Sequence, residues 1–283
     1  MVLESLINPL SAESNPKRMI LYGMLYSTVG IFLSLWIFED QASLVMVFLT
    51  TMAAIPLIYS AIKLEEEKDE SITEERSLLK EHGKALEFFV FIFIGMVIAM
   101  SFWYVVLPAG MTAKLFAAQT DTINRINPGS MTGNAVQFGV ITRIFVNNLQ
   151  VLVFSLLFAF LYGVGAIFIL AWNASVIAAA IGNFVRNELA KSAATVGMAK
   201  FSSYMHILSS GLFKYSIHGI PEILAYFIAG LAGGIISVAM LRKNLDFEKF
   251  KRVILDTSDL MIAAVIILVI AALLEVFVTP LFF

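Results

Sequence analysis

Apolar segments long enough to cross a lipid bilayer recur along the whole chain. A membrane-spanning helix needs about 20 predominantly apolar residues. Segments of this length are found at residues 19–38, 42–62, 88–107, 215–241 and 260–283. Each of them therefore predicts one transmembrane helix.

The uncharged segment 144–185 is too long for a single span. As one helix it would extend about 63 Å, which is about twice the thickness of the hydrocarbon core. Gly163 and Gly165 lie at its middle, where a tight turn needs the conformational freedom of glycine. Two helices in this segment bring the predicted total to seven spans.

A shorter apolar segment, residues 201–213, precedes the sixth predicted span. Such a segment is too short to cross, so we expect a re-entrant or interfacial helix. Proline is favoured in the first turn of a helix, where its missing N–H is not needed. We therefore expect the sixth helix to begin at Pro221, after a bend at Gly219.

Composition supports the same class of protein. The chain is 59% hydrophobic and 14% charged, whereas soluble domains have roughly 45–50% apolar and about 25% charged residues. The net charge of −2 gives no basic field for nucleic acid. The absence of cysteine excludes disulfides, cysteine nucleophiles and thiolate metal sites. These features predict an all-α, polytopic transmembrane protein.

Lysine and arginine are distributed unequally between the two sides of the predicted bundle. With the N-terminus inside, the inner segments 17–18, 63–84 and 242–252 carry twelve of the 19 basic residues. Basic residues favour the cytoplasmic side. We therefore expect a cell-membrane protein with a cytoplasmic N-terminus and an extracytoplasmic C-terminus.

The chain divides into two parts. Residues 1–84 contain a transmembrane hairpin and, at 63–84, an acidic connection. We interpret this connection either as a solvated continuation of two membrane helices or as a docking site for a cytoplasmic partner. Residues 85–283 form a five-span core with extracytoplasmic loops at 108–143 and 186–203. We expect a short helix at 111–126 and an interfacial one at 186–200.

Polar side chains within the predicted spans are expensive to insert and therefore informative. They are Asn147, Asn148, Asn173, His218, Glu222 and Glu275. Counted from Arg242 and Asp259 as the inner ends of the last two spans, Glu222 and Glu275 fall in one layer near the outer leaflet. Asn147 and Asn148 fall in the same layer, His218 is near enough to pair with Glu222, and Asn173 lies nearer the middle.

Each polar residue has a structural and a functional interpretation. The asparagines are typical of interhelical hydrogen bonds. A pair of His218 and Glu222 could close the start of a helix, whereas Glu275, isolated in an apolar segment, needs a partner or a proton. If a metal ion binds, then His218, Glu222 and Glu275 are its candidate ligands.

Small residues indicate close helix packing or hinges in the same region. They are Gly163, Gly165, Gly219, Pro221, Gly230, Gly233 and Gly234. Faces of this kind are compatible with a homodimer.

Several segments together resemble the stage II sporulation protein M family over about residues 85–283. They are Phe-Val-Asn-Asn at 145–148, His-Gly-Ile-Pro-Glu at 218–222 and Glu-Val-Phe-Val-Thr-Pro at 275–280. The resemblance implies a helical, noncatalytic membrane protein, and the best-known members help to localise cell-wall hydrolases during spore engulfment. The first two spans and the acidic connection depart from the short sporulation form, so the engulfment role is not transferred.

Three functions follow as alternatives. The resemblance favours a scaffold that binds an extracytoplasmic or membrane protein partner. The polar layer favours a transporter or channel for ions or protons that uses Glu222, Glu275 and His218. An intramembrane metal-dependent enzyme is the third alternative, but the sequence contains no P-loop, HExxH or catalytic triad and identifies no cofactor.

Overall fold

The computed structural model describes residues 15–71, 75–126, 134–162, 166–191, 198–241 and 247–281. Every regular element in these ranges is helical. The α-helices are α1 (Met19–Ile37), α2 (Ala42–Ser71), α3 (Glu75–Val106), α4 (Ala109–Leu115), α5 (Ala117–Ile126), α6 (Asn134–Tyr162), α7 (Ala166–Lys191), α8 (Met198–Leu241) and α9 (Phe247–Leu273). Short 3-10 turns precede α1 and α2, and a π-helical turn (Leu274–Val278) and a 3-10 turn (Thr279–Leu281) follow α9.

Within the part of the chain that the structure describes, seven helices are long and apolar enough to cross a membrane, which confirms the predicted number of spans and the all-α class. Their candidate spans are Pro16–Ile37, Glu39–Glu65, His82–Val106, Ile141–Phe160, Ala166–Lys191, Ile217–Ser237 and Phe250–Leu281. The segment 144–185 contributes two of them, α6 and α7, as expected. Gly163 and Gly165 lie outside the described residues.

Helix α8 corrects two predictions. It runs unbroken over 44 residues, about 66 Å, so residues 201–213 form no separate re-entrant or interfacial helix and Pro221 lies inside a helix. A proline costs a helix one backbone hydrogen bond, whereas ending the helix within the bilayer would leave several polar groups unsatisfied. The continuous helix therefore leaves fewer backbone groups without a hydrogen bond than a helix that ends within the bilayer.

The interfacial helix expected at 186–200 is also absent as a separate element in the described residues. Helix α7 continues to Lys191, and α8 begins at Met198. The Ala-rich sequence here favours helix, and it extends the membrane helices instead of forming a new one.

Helices α2 and α3 continue beyond their apolar segments, as the helical interpretation of the acidic connection predicts. The Glu65 side chain is completely buried where the two helices face each other. One of its oxygens lies 2.9 Å from Nδ1 of His82, and the other lies 2.6 Å from Nζ of Lys68. This contact links α2 and α3 where their apolar segments end.

Glycines bring α1 directly against α3. A Cβ added to Gly23 would lie 2.1 Å from the carbonyl oxygen of Ile92, and one added to Gly95 would lie 2.1 Å from the carbonyl oxygen of Ile20. Any side chain at either position would thus collide with the facing backbone. The first span is packed tightly on the part of the chain that carries the family resemblance.

Glycines also allow a close approach in the second half of the bundle. A Cβ at Gly233 of α8 would lie 2.6 Å from the carbonyl oxygen of Leu156 in α6, and one at Gly230 would lie 3.0 Å from Cβ of Ala166 in α7. Gly234 is buried in the same stretch, whereas Gly219 faces open space. Helix α8 therefore packs through the small residues of its C-terminal half.

The segment after α3 folds back as a cap on one end of the bundle. The helix expected at 111–126 is divided into α4 and α5, with Phe116 buried between them. Gln119 of α5 is completely buried. Its Nε2 donates to the carbonyl of Ser43 at 3.3 Å and to Oγ of Ser175 at 3.0 Å. The cap is thereby fixed to α2 and α7.

Arg186 of α7 completes this cap. Its Nη2 donates to the carbonyl of Leu107 and, at 3.0 Å, to Oγ1 of Thr112. The guanidinium also lies 5.3 Å from the centre of the Tyr104 ring. The last carbonyls of a helix have no partner within it, and a cation there complements the helix dipole. Arg186 thus stabilises the end of α3.

We expect Arg186→Met to destabilise the protein by about 2–3 kcal/mol, because carbonyls that lose a charged donor remain partly buried. Arg186→Lys should recover little of this loss, since an ammonium group lacks the planar fork of guanidinium. Thermal unfolding in detergent measures the change. The exposed Arg252 provides the control, and equal melting of Arg186→Met and Arg252→Met would contradict this role.

Candidate polar cluster in the membrane

Five polar side chains from three elements meet inside the bundle. This polar cluster consists of Asn147 and Asn148 on α6, Glu222 and Tyr226 on α8, and Glu275 in the π-helical turn. All five lie within candidate membrane spans. The sequence predicted four of them.

Glu222 is the centre of the hydrogen-bonded part of the cluster. The hydroxyl of Tyr226, one helical turn later and completely buried, donates to its Oε1 at 2.7 Å. The side chain of Asn148 lies within interaction range of the same carboxylate. Nδ2 of Asn147 in turn lies 3.3 Å from Oδ1 of Asn148. The Glu222 carboxylate thereby joins α8 to α6.

Glu275 lies on a distorted part of the last helix. It belongs to the π-helical turn Leu274–Val278. Pro280 explains the distortion, because its ring would collide with the carbonyl four residues earlier in a regular helix. The carbonyl of Leu274 accepts both the backbone N–H of Thr279 and, at 3.2 Å, its hydroxyl. Turns of this kind are frequent at functional sites.

The two carboxylates interact with each other electrostatically. Glu275 lies within range of the charge on Glu222, and it also interacts with the hydroxyl of Tyr226. No basic residue is among these described partners. The arrangement therefore places two acidic groups of like charge together within membrane spans, where such groups are most costly.

His218 and Asn173 lie in other settings. Nδ1 of His218 is 3.1 Å from Oγ1 of Thr279, which links the start of the sixth span to the end of the last one. A pairing of His218 with Glu222 stays a prediction. Asn173 donates through Nδ2 to the carbonyl of Ile169 at 2.8 Å, so this hydrogen bond stays within α7.

Glu222 lies near the start of the sixth candidate span, Ile217–Ser237. Further along α8, the ring of Phe227 stacks on that of Phe89 in α3, with the ring centroids 5.8 Å apart. The location of the polar residues near the outer leaflet stays a prediction.

Sequence reasoning missed Tyr226 and Thr279. Tyr226 lies four residues after Glu222, the spacing at which side chains meet on one face of a helix. Thr279 lies four residues after Glu275. Both signals are visible in the sequence, but a tyrosine in an apolar helix also fits ordinary core packing.

The chemistry of the cluster is that of an acid pair with neutral donors. Among the described residues, no three His, Asp or Glu side chains are grouped as a metal-binding set. Two carboxylates supported by amide and phenol groups can hold a proton or a cation. The same donors can also act as hydrogen bonds between helices.

Comparison with known proteins identifies the chain at the level of its family. The family model for Stage II sporulation protein M matches residues 85–280, which include the whole polar cluster. Neither the search of curated proteins nor the search of solved structures gives a match. The match covers more than half of the chain, and the chain therefore belongs to the stage II sporulation protein M family of integral membrane proteins.

Proposed function

We propose that this protein is a transporter or channel that moves a proton or a monovalent cation, and that Glu222 and Glu275 bind it. The observation that carries the proposal is that two carboxylates from different elements lie inside candidate membrane spans, within electrostatic range of each other. Two negative charges within range of each other in a medium of low dielectric constant disfavour each other. One of the two groups therefore needs a proton or a cation.

The surroundings of the acid pair support exchange of that ion. Glu222 is held by Tyr226 and Asn148, so its position is fixed by α8 and α6. Glu275 instead lies on a π-helical turn, which is wider than a turn of α-helix. Such π-helical turns are frequent at functional sites. A fixed carboxylate facing one on a deformable turn suits alternate loading and release.

We expect full-length protein in sealed liposomes to collapse an imposed proton or cation gradient, and Glu222→Gln to lose this flux. Glutamine keeps the size and hydrogen bonding of the side chain but cannot bind a proton or cation as a carboxylate does. An internal pH dye, and then dyes for sodium and potassium, measure the flux. Glu188→Gln, on the part of α7 near the cap, is the control. Folded protein with no flux for any of these ions would overturn the proposal.

A partner-binding scaffold is the second candidate. Helices α2 and α3 extend beyond their apolar segments and are linked by the buried contact of Glu65 with His82. A firmly held, acidic helical extension suits docking of another protein. The family resemblance points the same way. This function is favoured if the flux experiment fails while the protein remains folded.

A further inference from the structure

A pocket at the N-terminal end of α1 is separate from the polar cluster. It has a volume of about 670 Å³, opens to the surface, and is lined by the turn before α1, the first half of α3 and one residue of α8. Its apolar wall consists of Leu86, Val90, Phe91 and Leu224. Lys17 and Arg18 lie at its edge, where the first candidate span begins.

The charges of the pocket are unbalanced in favour of an anion. Lys17 and Arg18 are exposed, and within the described ranges neither forms an ion pair. Glu87 is the acidic residue on the wall, so two cations face one carboxylate. A cationic edge above an apolar wall complements a molecule with an anionic head and a hydrocarbon tail.

The position of the pocket selects the source of such a molecule. Helix α1 exposes large apolar side chains such as Leu21 and Leu25, so its outer face contacts lipid. The pocket lies at the start of the first candidate span, where a membrane helix leaves the hydrocarbon and reaches the phospholipid head groups. Basic pockets between transmembrane helices bind anionic head groups. We propose that this pocket binds one anionic phospholipid, with its phosphate at Lys17 and Arg18 and an acyl chain against Val90 and Phe91.

The test measures lipid binding by native mass spectrometry of full-length protein. The protein is released from nanodiscs that contain equal amounts of phosphatidylglycerol and phosphatidylcholine. We expect one retained phosphatidylglycerol, with an affinity about 30-fold weaker in the double variant Lys17→Gln/Arg18→Gln, since each cation near the surface contributes about fivefold. The control Lys251→Gln/Arg252→Gln removes the same dipeptide from an exposed site on α9 and should change the affinity by less than about twofold.

A second variant tests the pocket without changing charge. A Cβ at Gly83 would meet no atom within 4 Å, so Gly83→Leu is tolerated by the backbone and fills the cavity that Gly83 lines. We expect it to abolish lipid retention, whereas Gly139→Leu, at an exposed and open position of α6, should not.

Three results would overturn the proposal. Equal loss in both double variants would indicate general attraction of anionic lipid, and equal retention of phosphatidylcholine would indicate an unselective annular lipid. Displacement by inorganic phosphate alone would indicate a soluble anion site. None of these readouts depends on ion flux, so the experiment can contradict the lipid site without contradicting the proposed transport, and the flux experiment can do the reverse.

Discussion

Glu275→Gln is expected to reduce ion flux to the leak of empty liposomes while leaving the protein folded. Glutamine has the same shape as glutamate, but it carries no charge and exchanges no proton with the cluster. The described contacts of Glu275 are electrostatic and run to Glu222 and Tyr226. Removing one of two like charges inside membrane spans should therefore leave the unfolding temperature unchanged or raise it, because a buried charge costs stability.

Two matched variants make this prediction specific. Glu275→Asp keeps a carboxylate and should retain part of the flux. If the role of Glu275 were purely steric, Glu275→Asp would lose at least as much flux as Glu275→Gln. Glu248→Gln removes an exposed carboxylate at the other end of the same helix and should behave as wild type. Flux that survives Glu275→Gln in full would remove Glu275 from the pathway.

The combination of lost flux with retained stability separates the two candidate functions. If the polar cluster only holds helices together, loss of Glu222 or Glu275 should lower the unfolding temperature and change flux only through unfolding. If the cluster is an ion site, stability and flux should change independently. Membrane active sites commonly trade stability for function in this way.

The number and location of the spans could be predicted from the sequence because a bilayer imposes a minimum apolar length. Segments such as 88–107 satisfy it without ambiguity. The ends of the helices could not be predicted in the same way. Nothing in the bilayer requires α8 to stop at the edge of the hydrocarbon, and its sequence continues to favour helix on both sides of Pro221. The depth assigned to Glu222 depends on where those ends lie relative to the bilayer, and it stays a prediction.

The polar residues could be found from the sequence because charges in apolar segments are conspicuous. Their partners were harder to identify. Asn148 and Glu222 belong to different helices, so their contact depends on how α6 and α8 pack. Arg186 was counted as a loop charge, yet it binds the end of α3. Such contacts depend on tertiary geometry that single-sequence patterns do not contain.

Gly95→Ala should be among the most destabilising single substitutions in the chain, because one methyl group is enough to separate α1 from α3. The new Cβ would lie 2.1 Å from the carbonyl oxygen of Ile20 and 3.0 Å from its Cα. Both atoms belong to backbone, so no side-chain rotation relieves the collision. Overpacking of this kind costs about 1–3 kcal/mol and occasionally more, and we expect the upper end of that range.

Gly83→Ala is the matched control, since it makes the same change earlier in the same helix, where an added Cβ meets no atom within 4 Å. It should stabilise α3 by up to about 1 kcal/mol, the difference in helix propensity between the two residues.

Thermal unfolding compares the variants, and the absence of native cysteine allows a direct readout of the α1–α3 contact. Nε1 of Trp103 in α3 donates to Oγ1 of Thr28 in α1 at 3.2 Å, so cysteines introduced at these two positions report on the contact. A short thiol cross-linker should join them efficiently in the Gly83→Ala background. It should join them poorly in the Gly95→Ala background. Equal cross-linking and equal melting would mean that α1 does not pack on α3 through Gly95.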